Sequence, residues 1–158
     1  MKIEIELTNR QRKIKISKRR LTTTAKKIIQ LLGNTTITER NKAILSKKII
    51  VSVVLIGGKR MREINYRYRG KKYITDVLSF PYLENHFLME EVYLGELLIC
   101  PEKALLQSKQ YGATFWEEMQ RLLVHGILHL LGYDHEGSKS QAREMFKIEK
   151  NILKNLQT

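Results

Sequence analysis

Apolar and polar residues alternate at Ile3, Ile5 and Leu7, the period of a half-buried strand. From Ser17 the period changes: Leu21, Ala25, Ile28, Ile29 and Leu32 fall at helical spacing, with Ser17 suited to cap the start and Gly33 to stop the helix. Residues 49–56 are dense in β-branched side chains and end at Gly57-Gly58, which predicts a buried strand. Met61, Ile64 and Tyr68 then share one face of a short helix ending near Gly70, a spacing that predicts a core position for Tyr68. Val77, Leu78 and Phe80 before Pro81 predict a strand, as do residues 92–100, with a loop over 82–91 between them. Pro101 suits a first helical position and opens a helix carrying Ala104, Leu105, Ser108 and Tyr111 to Gly112.

The next segment differs in that its apolar residues wrap most of the way round. Trp116, Met119, Leu122, Leu123, Ile127 and Leu130 predict a central, largely buried helix over 115–131, ended by Gly132. After a turn at Glu136-Gly137, Ala142, Met145, Ile148, Ile152 and Leu156 mark a closing helix with one polar face. Strand-like runs alternating with helical ones predict a mixed α+β fold. Its small, mainly parallel β-sheet packs against the buried helix, within one domain over residues 1–158. No repeat, low-complexity tract or linker interrupts the chain, and residues 1–48 carry no motif.

The buried helix also carries the candidate chemistry. Three of the four histidines lie within the eleven residues of His125-Gly-Ile-Leu-His129-Leu-Leu-Gly132-Tyr-Asp-His135. Residues four apart on a helix stand one turn above another, so His125 and His129 project from one face about 5–6 Å apart at Cβ. Gly132 can take a positive φ and let the chain double back, which brings His135 toward the same point. Three neutral imidazoles make a set of ligands for Zn2+, one ion, with a fourth position left open. That is the arrangement of a catalytic zinc site, where a bound water loses its proton near neutral pH. Three histidines also accept nickel, cobalt or copper. Cys100 is expected to lie outside the ion's shell. Asp134 has three roles open to it: orienting a ligand, accepting a proton, or shaping the turn, which the sequence favours.

The spacing is that of the zincin-like metzincin proteases, but the glutamate that serves them as general base is replaced here by Gly126. A peptidase or other hydrolase is therefore the second reading.

Charge adds a partner class. The net charge is +13, and residues 1–72 hold 21 Lys/Arg against 4 Asp/Glu while residues 73–158 hold 8 against 12. A basic half joined to a mildly acidic half that bears the histidines suggests a polyanion held on one surface and processed on another. The single Cys100 and the lack of an apolar leader at the amino terminus predict a reducing, cytoplasmic setting. No apolar run approaches the roughly 20 residues that span a bilayer, so no membrane partner is expected.

Four blocks resemble, in order, those of the YbeY family of bacterial ribosomal-RNA maturation endoribonucleases. They are the helix and turn Met61-Arg-Glu-Ile-Asn65-Tyr-Arg-Tyr68-Arg69-Gly70-Lys-Lys, then Thr75-Asp76-Val77-Leu78-Ser79-Phe80-Pro81, then Leu94-Gly95-Glu96-Leu-Leu-Ile-Cys100-Pro101, and the histidine segment. Glu96 stands where the family usually has Asp, and His86 belongs to no block. The resemblance implies a metal-dependent, single-strand-specific endoribonuclease acting near the 3′ end of 16S rRNA and in ribosome quality control. Its partners would be ribosomal RNA and the small ribosomal subunit. It also implies a turn that faces Arg69 toward the metal, where a guanidinium can grip a phosphate with two donors. Arg60, Arg62, Arg67, Lys71 and Lys72 are expected to extend a phosphate-tracking groove, with Tyr66 as a stacking surface. A third reading keeps the RNA and drops the catalysis: a ribosome-associated binding factor with a structural metal.

Overall fold

The computed structural model describes residues 1–35, 37–82 and 88–157. Four strands form one sheet: β1 (Ile3–Asn9), β2 (Lys48–Leu55), β3 (Val77–Pro81) and β4 (Glu91–Ile99), in the order β1-β2-β4-β3. The first two pairings are parallel and β3–β4 is antiparallel, as expected of a mainly parallel sheet. The helices are α1 (Lys18–Gly33), α2 (Glu39–Leu45), α3 (Gly58–Arg69), α4 (Pro101–Tyr111), α5 (Phe115–Leu130) and α6 (Lys139–Leu156).

Burial alternates strictly along β2, so Ile49, Val51, Val53 and Leu55 face the main core while Ile50, Ser52 and Val54 are half-exposed. The run that reads as wholly buried is therefore buried on one face only. On that covered face α1 contributes Leu21, Ala25, Ile28, Ile29 and Leu32, and α5 contributes seven apolar side chains from Met119 to Leu130. Each full burial of a large aliphatic side chain is worth about 1.5–3 kcal/mol, which makes α5 the anchor of the fold. Across the sheet, α3 sits over a smaller cluster of Ile56, Met61, Leu78, Leu98 and Cys100.

Two glycines fix how closely these layers meet. Gly95 has φ +137, and a Cβ there would stand 2.2 Å from the Phe80 carbonyl oxygen, so β4 can bulge beside β3 only without a side chain. The bulge shifts the register between Tyr93 and Gly95 against β2, which keeps Leu94 and Leu97 both on the core side. Gly126 lies on the face of α5 turned to the sheet, where a Cβ would meet Leu97 Cδ2 at 2.8 Å. The helix therefore packs directly onto β4.

Three further features depart from the sequence-based expectations. Helix α2, capped by the Thr38 hydroxyl on Asn41 N, falls within the stretch that carries no motif. At seven residues it is too short to show a period. Tyr68 is 65% exposed instead of buried; its ring meets Phe80 edge-on at a centroid distance of 5.2 Å at the rim of the small cluster. Of the loop expected over 82–91, residues 83–87 with His86 lie outside the described residues, and Glu91 already belongs to β4.

Candidate metal centre

The geometry of the histidines begins with the two ends of α5. At its start Thr114 Oγ1 accepts from Glu117 N and Glu117 Oε2 accepts from Thr114 N, both at 3.1 Å, a reciprocal cap. At its end Gly132 takes φ +94, Gly132 N donates to His129 O at 3.0 Å and Tyr133 N donates to Leu128 O at 3.1 Å. This is a Schellman turn, and it reverses the chain as expected of Gly132. Arg40 of α2 adds a donor to Leu131 O at 3.3 Å, so the otherwise unanticipated helix helps close the same end. Asp134 then accepts from Glu136 N at 2.8 Å, which is the turn-shaping role favoured for it.

The result is convergence. His129 Nε2 lies 3.0 Å from His125 Nε2 and 3.2 Å from His135 Nδ1. One nitrogen of each ring falls within 4.8 Å of the others, and among the described residues this is the one cluster that could hold a metal ion. Three ligands at 2.0–2.1 Å around a tetrahedral ion stand roughly 3.3 Å apart, so the spacing fits zinc. Cys100 is elsewhere, fully buried in the small cluster, and its thiol is pushed up by that burial.

The donor chemistry also fits. His125 Nδ1 is 2.8 Å from Glu149 Oε1 of α6. A carboxylate there requires an N–H on Nδ1, which leaves the lone pair on Nε2, the nitrogen facing the cluster. His129 is held below the ordinary imidazole range by burial and then by His125 and His135, with a backbone hydrogen bond to Tyr133 opposing. Its ring is thus kept neutral, the form that binds a cation. Glu149 was not anticipated. Its signal was a carboxylate at the spacing of Met145, Ile148 and Ile152, on the half-buried side of an amphipathic helix.

Above the cluster opens a cleft of about 430 Å³ whose walls include His125, His129, His135, Arg69, Asp76 and Ser79. Arg69 owes its place to a tight helix end. Gly70 takes φ +67, Gly70 N donates to Tyr66 O at 2.9 Å, and the buried Asn65 Nδ2 donates to Tyr73 O at 2.9 Å, closing residues 66–72 into a turn. Arg69 makes no ion pair among the described residues, although every expected member of a phosphate groove lies near it in sequence. Of those neighbours, Arg60 and Arg67 line a different cavity of about 300 Å³, with Arg10, Tyr68 and Phe80, and Arg60 also pairs with Glu63. Lys72 lies over the Tyr66 ring at 5.5 Å. The expected groove is therefore split between two faces, and only Arg69 of the named cations lines the cleft.

Beneath the cleft is a polar lattice that spacing could not reveal. Asp76 accepts from Val77 N at 2.7 Å, Gln107 Nε2 at 3.0 Å and Arg121 Nη2 at 3.3 Å; Gln107 and Arg121 also bond the buried Glu118. Burial opposes the charge on Arg121, but Glu118 and then Asp76 outweigh it and raise its pKa. The lattice ties the start of β3 to α4 and α5.

Fold and cluster together define a class: a small α+β protein with a mainly parallel sheet on a central helix, and an open three-histidine centre of zincin type on that helix. The comparisons with known proteins are narrower. The family model described as Endoribonuclease YbeY matches residues 6–157. The Endoribonuclease YbeY of Thermodesulfovibrio yellowstonii is 48% identical over 162 residues, covering 99% of each chain. That of Alkaliphilus metalliredigens is 37% identical over 156 residues, covering 97% of this chain and 95% of its own. The solution structure of a Thermotoga maritima protein superposes with a TM-score of 0.60 at 30% identity, covering 98% of this chain and 88% of that one. The chain belongs to the YbeY endoribonuclease family.

Proposed function

We propose that the 158 residues form one metal-dependent endoribonuclease domain specific for single-stranded RNA, with His125, His129 and His135 as ligands of one zinc ion and Arg69 as a catalytic residue. The observation that carries this reading is the opening of the three-imidazole cluster into a cleft whose one unpaired cation is Arg69 among the described residues. A bound divalent ion supplies Lewis acidity toward a phosphoryl oxygen and lowers the pKa of a coordinated water. The protein's own groups do the rest. Arg69 presents two donors to the phosphoryl oxygens as negative charge gathers on them. Glu149 holds the tautomer of His125. The lattice through Asp76 and Arg121 keeps β3, and with it the floor of the cleft, fixed against α5.

The substrate proposed is ribosomal RNA, cut near the 3′ end of 16S rRNA on the small ribosomal subunit, in maturation and quality control in the cytoplasm. Family membership supports this, as does the basic half of the chain; among the described residues no helix is long and apolar enough to cross a membrane. A peptidase reading meets a physical obstacle, because glycine at position 126 supplies no general base and a side chain there would run into Leu97 in the core.

The test is single-turnover cleavage of saturating single-stranded RNA by zinc-loaded Arg69→Ala and Arg69→Lys. Loss of one transition-state donor costs about 2.7–4 kcal/mol, so the alanine variant is expected to slow on the order of a hundredfold or more with zinc content unchanged. Lysine restores charge without the two-pronged geometry and rescues only part. A wild-type rate for Arg69→Ala would remove its catalytic role. Cleavage by neither wild type nor variant, with RNA still bound, would favour the non-catalytic factor instead.

A further inference from the structure

The cluster has a second groove on its other side. Between α5 and α6 runs a channel of about 650 Å³ whose walls again include His125 and His135. Its floor is an apolar stripe of α6 formed by Ala142, Met145, Phe146 and Leu153. Phe146 is 64% exposed and is the one exposed large apolar side chain on α6. A lone exposed Phe needs no explanation by itself. This one stands beside the candidate reaction centre, with Arg143 and Lys150 on the same groove.

The charges decide what suits it. Glu149, the carboxylate of this groove, is committed to His125 Nδ1, and Arg121 to Glu118 and Asp76. Arg143 and Lys150 make no ion pair among the described residues. Arg143 and Lys150 outnumber the Glu149 carboxylate, whose partner imidazole carries no charge, so the groove is net positive over an apolar and aromatic floor. Single-strand binders combine these two features, an aromatic platform for a base face and a cationic track for the backbone.

We propose that this groove receives an unpaired RNA base flanking the scissile phosphate, stacked on Phe146, with the adjoining phosphates on Arg143 and Lys150. The proposal rests on the RNA-cleavage reading above and adds a subsite to it. The two grooves meet at the histidines, Arg69 on one side and Phe146 on the other, so a strand crossing the centre has a place for its chain on each side. A base held in a duplex has its faces already covered by stacking. It cannot offer one to Phe146, and single-strand preference acquires a physical cause at this groove.

The experiment titrates zinc-loaded wild type, Phe146→Ala, Phe146→Trp and the double variant Arg143→Gln/Lys150→Gln against a short, fluorescein-labelled single-stranded RNA with phosphorothioate linkages. The same backbone with abasic sites serves as the second probe. Phe146→Ala is expected to weaken binding to the base-bearing strand about five- to a hundredfold. Phe146→Trp should stay near wild type, and on the abasic strand Phe146→Ala should match wild type. The double variant should lower the slope of log affinity against log salt on both strands by about 1.4, which is 0.7 per phosphate contact. Phe146 is exposed, so its replacement leaves the core intact, and zinc content checks the centre. Equal affinity of wild type and Phe146→Ala for the base-bearing strand, or an equal loss on the abasic one, would overturn the subsite. If wild type cleaves single-stranded RNA while Phe146→Ala matches it throughout, only the subsite falls, and a protein segment becomes the better occupant. If wild type neither binds nor cleaves single-stranded RNA, the RNA-cleavage reading falls and takes the subsite with it.

Discussion

Removing the Glu149 carboxylate while keeping all three histidines isolates the part of metal affinity that comes from orienting one ligand. The carboxylate lies 2.8 Å from His125 Nδ1, with side-chain exposures of 15% for Glu149 and 22% for His125, so the bond is largely shielded from solvent. A hydrogen bond to a charged group contributes about 1.5–3 kcal/mol. Loss of the outer partner of a metal-bound imidazole costs about 10–100-fold in affinity, or roughly 1.4–2.7 kcal/mol. The two ranges overlap near about 2 kcal/mol, which is about thirtyfold. Glu149→Ala should therefore weaken zinc binding by about that factor, and Glu149→Gln, which keeps an acceptor oxygen but loses the charge, by less. Competition with a chromophoric chelator at neutral pH reads the affinity. Urea unfolding of the metal-free proteins separates lost ligand orientation from lost packing, because only the former narrows the gap in stability between zinc-loaded and metal-free forms. Unchanged zinc affinity in Glu149→Ala would show that His125 is oriented without its partner and that the tautomer argument is wrong.

Other outcomes follow from the packing and the charges. Gly126→Ala sets overpacking against Leu97, about 1–3 kcal/mol, against a gain in helix propensity of about 1 kcal/mol, so urea unfolding should show a net loss of up to about 2 kcal/mol. Gly126→Glu should fail to fold; a folded variant with peptidase activity would refute the core placement of this position. Arg121→Met leaves Glu118, 3% exposed, without its cation. Breaking a buried pair costs about 3–5 kcal/mol, but Arg121 is itself 38% exposed, so about 2–3 kcal/mol is expected by denaturant titration, and a loss below about 1 kcal/mol would contradict the lattice. The metal-free protein should lose stability as pH falls below the ordinary imidazole value of 6.5. His129 is held neutral by burial, so its contribution is complete above 6.5 and is lost as acid protonates it through its lower folded value. Zinc should extend stability to lower pH, and identical acid unfolding of the zinc-loaded and metal-free forms would count against metal binding at this cluster.

The sequence by itself determined whatever depends on neighbours along the chain. The period of α1, the proline that opens α4, the glycine that ends α5 and the i, i+4 pair of His125 and His129 are local facts, and each stands as expected. The return of His135 was legible for the same reason, since one turn at Gly132 carries it there.

Only the tertiary structure decided the rest, because it depends on contacts between distant segments. Glu149 reaches His125 from 24 positions away, and Asp76 joins Arg121 across 45; no period connects such residues. Tyr68 keeps helical step with Ile64, yet the face they share runs off the edge of the small cluster, and spacing cannot say where a cluster ends. The cations near Arg69 form one run in sequence. A helix turns consecutive side chains by about 100°, which sends Arg60 and Arg67 to another cavity and leaves Arg69 alone above the histidines.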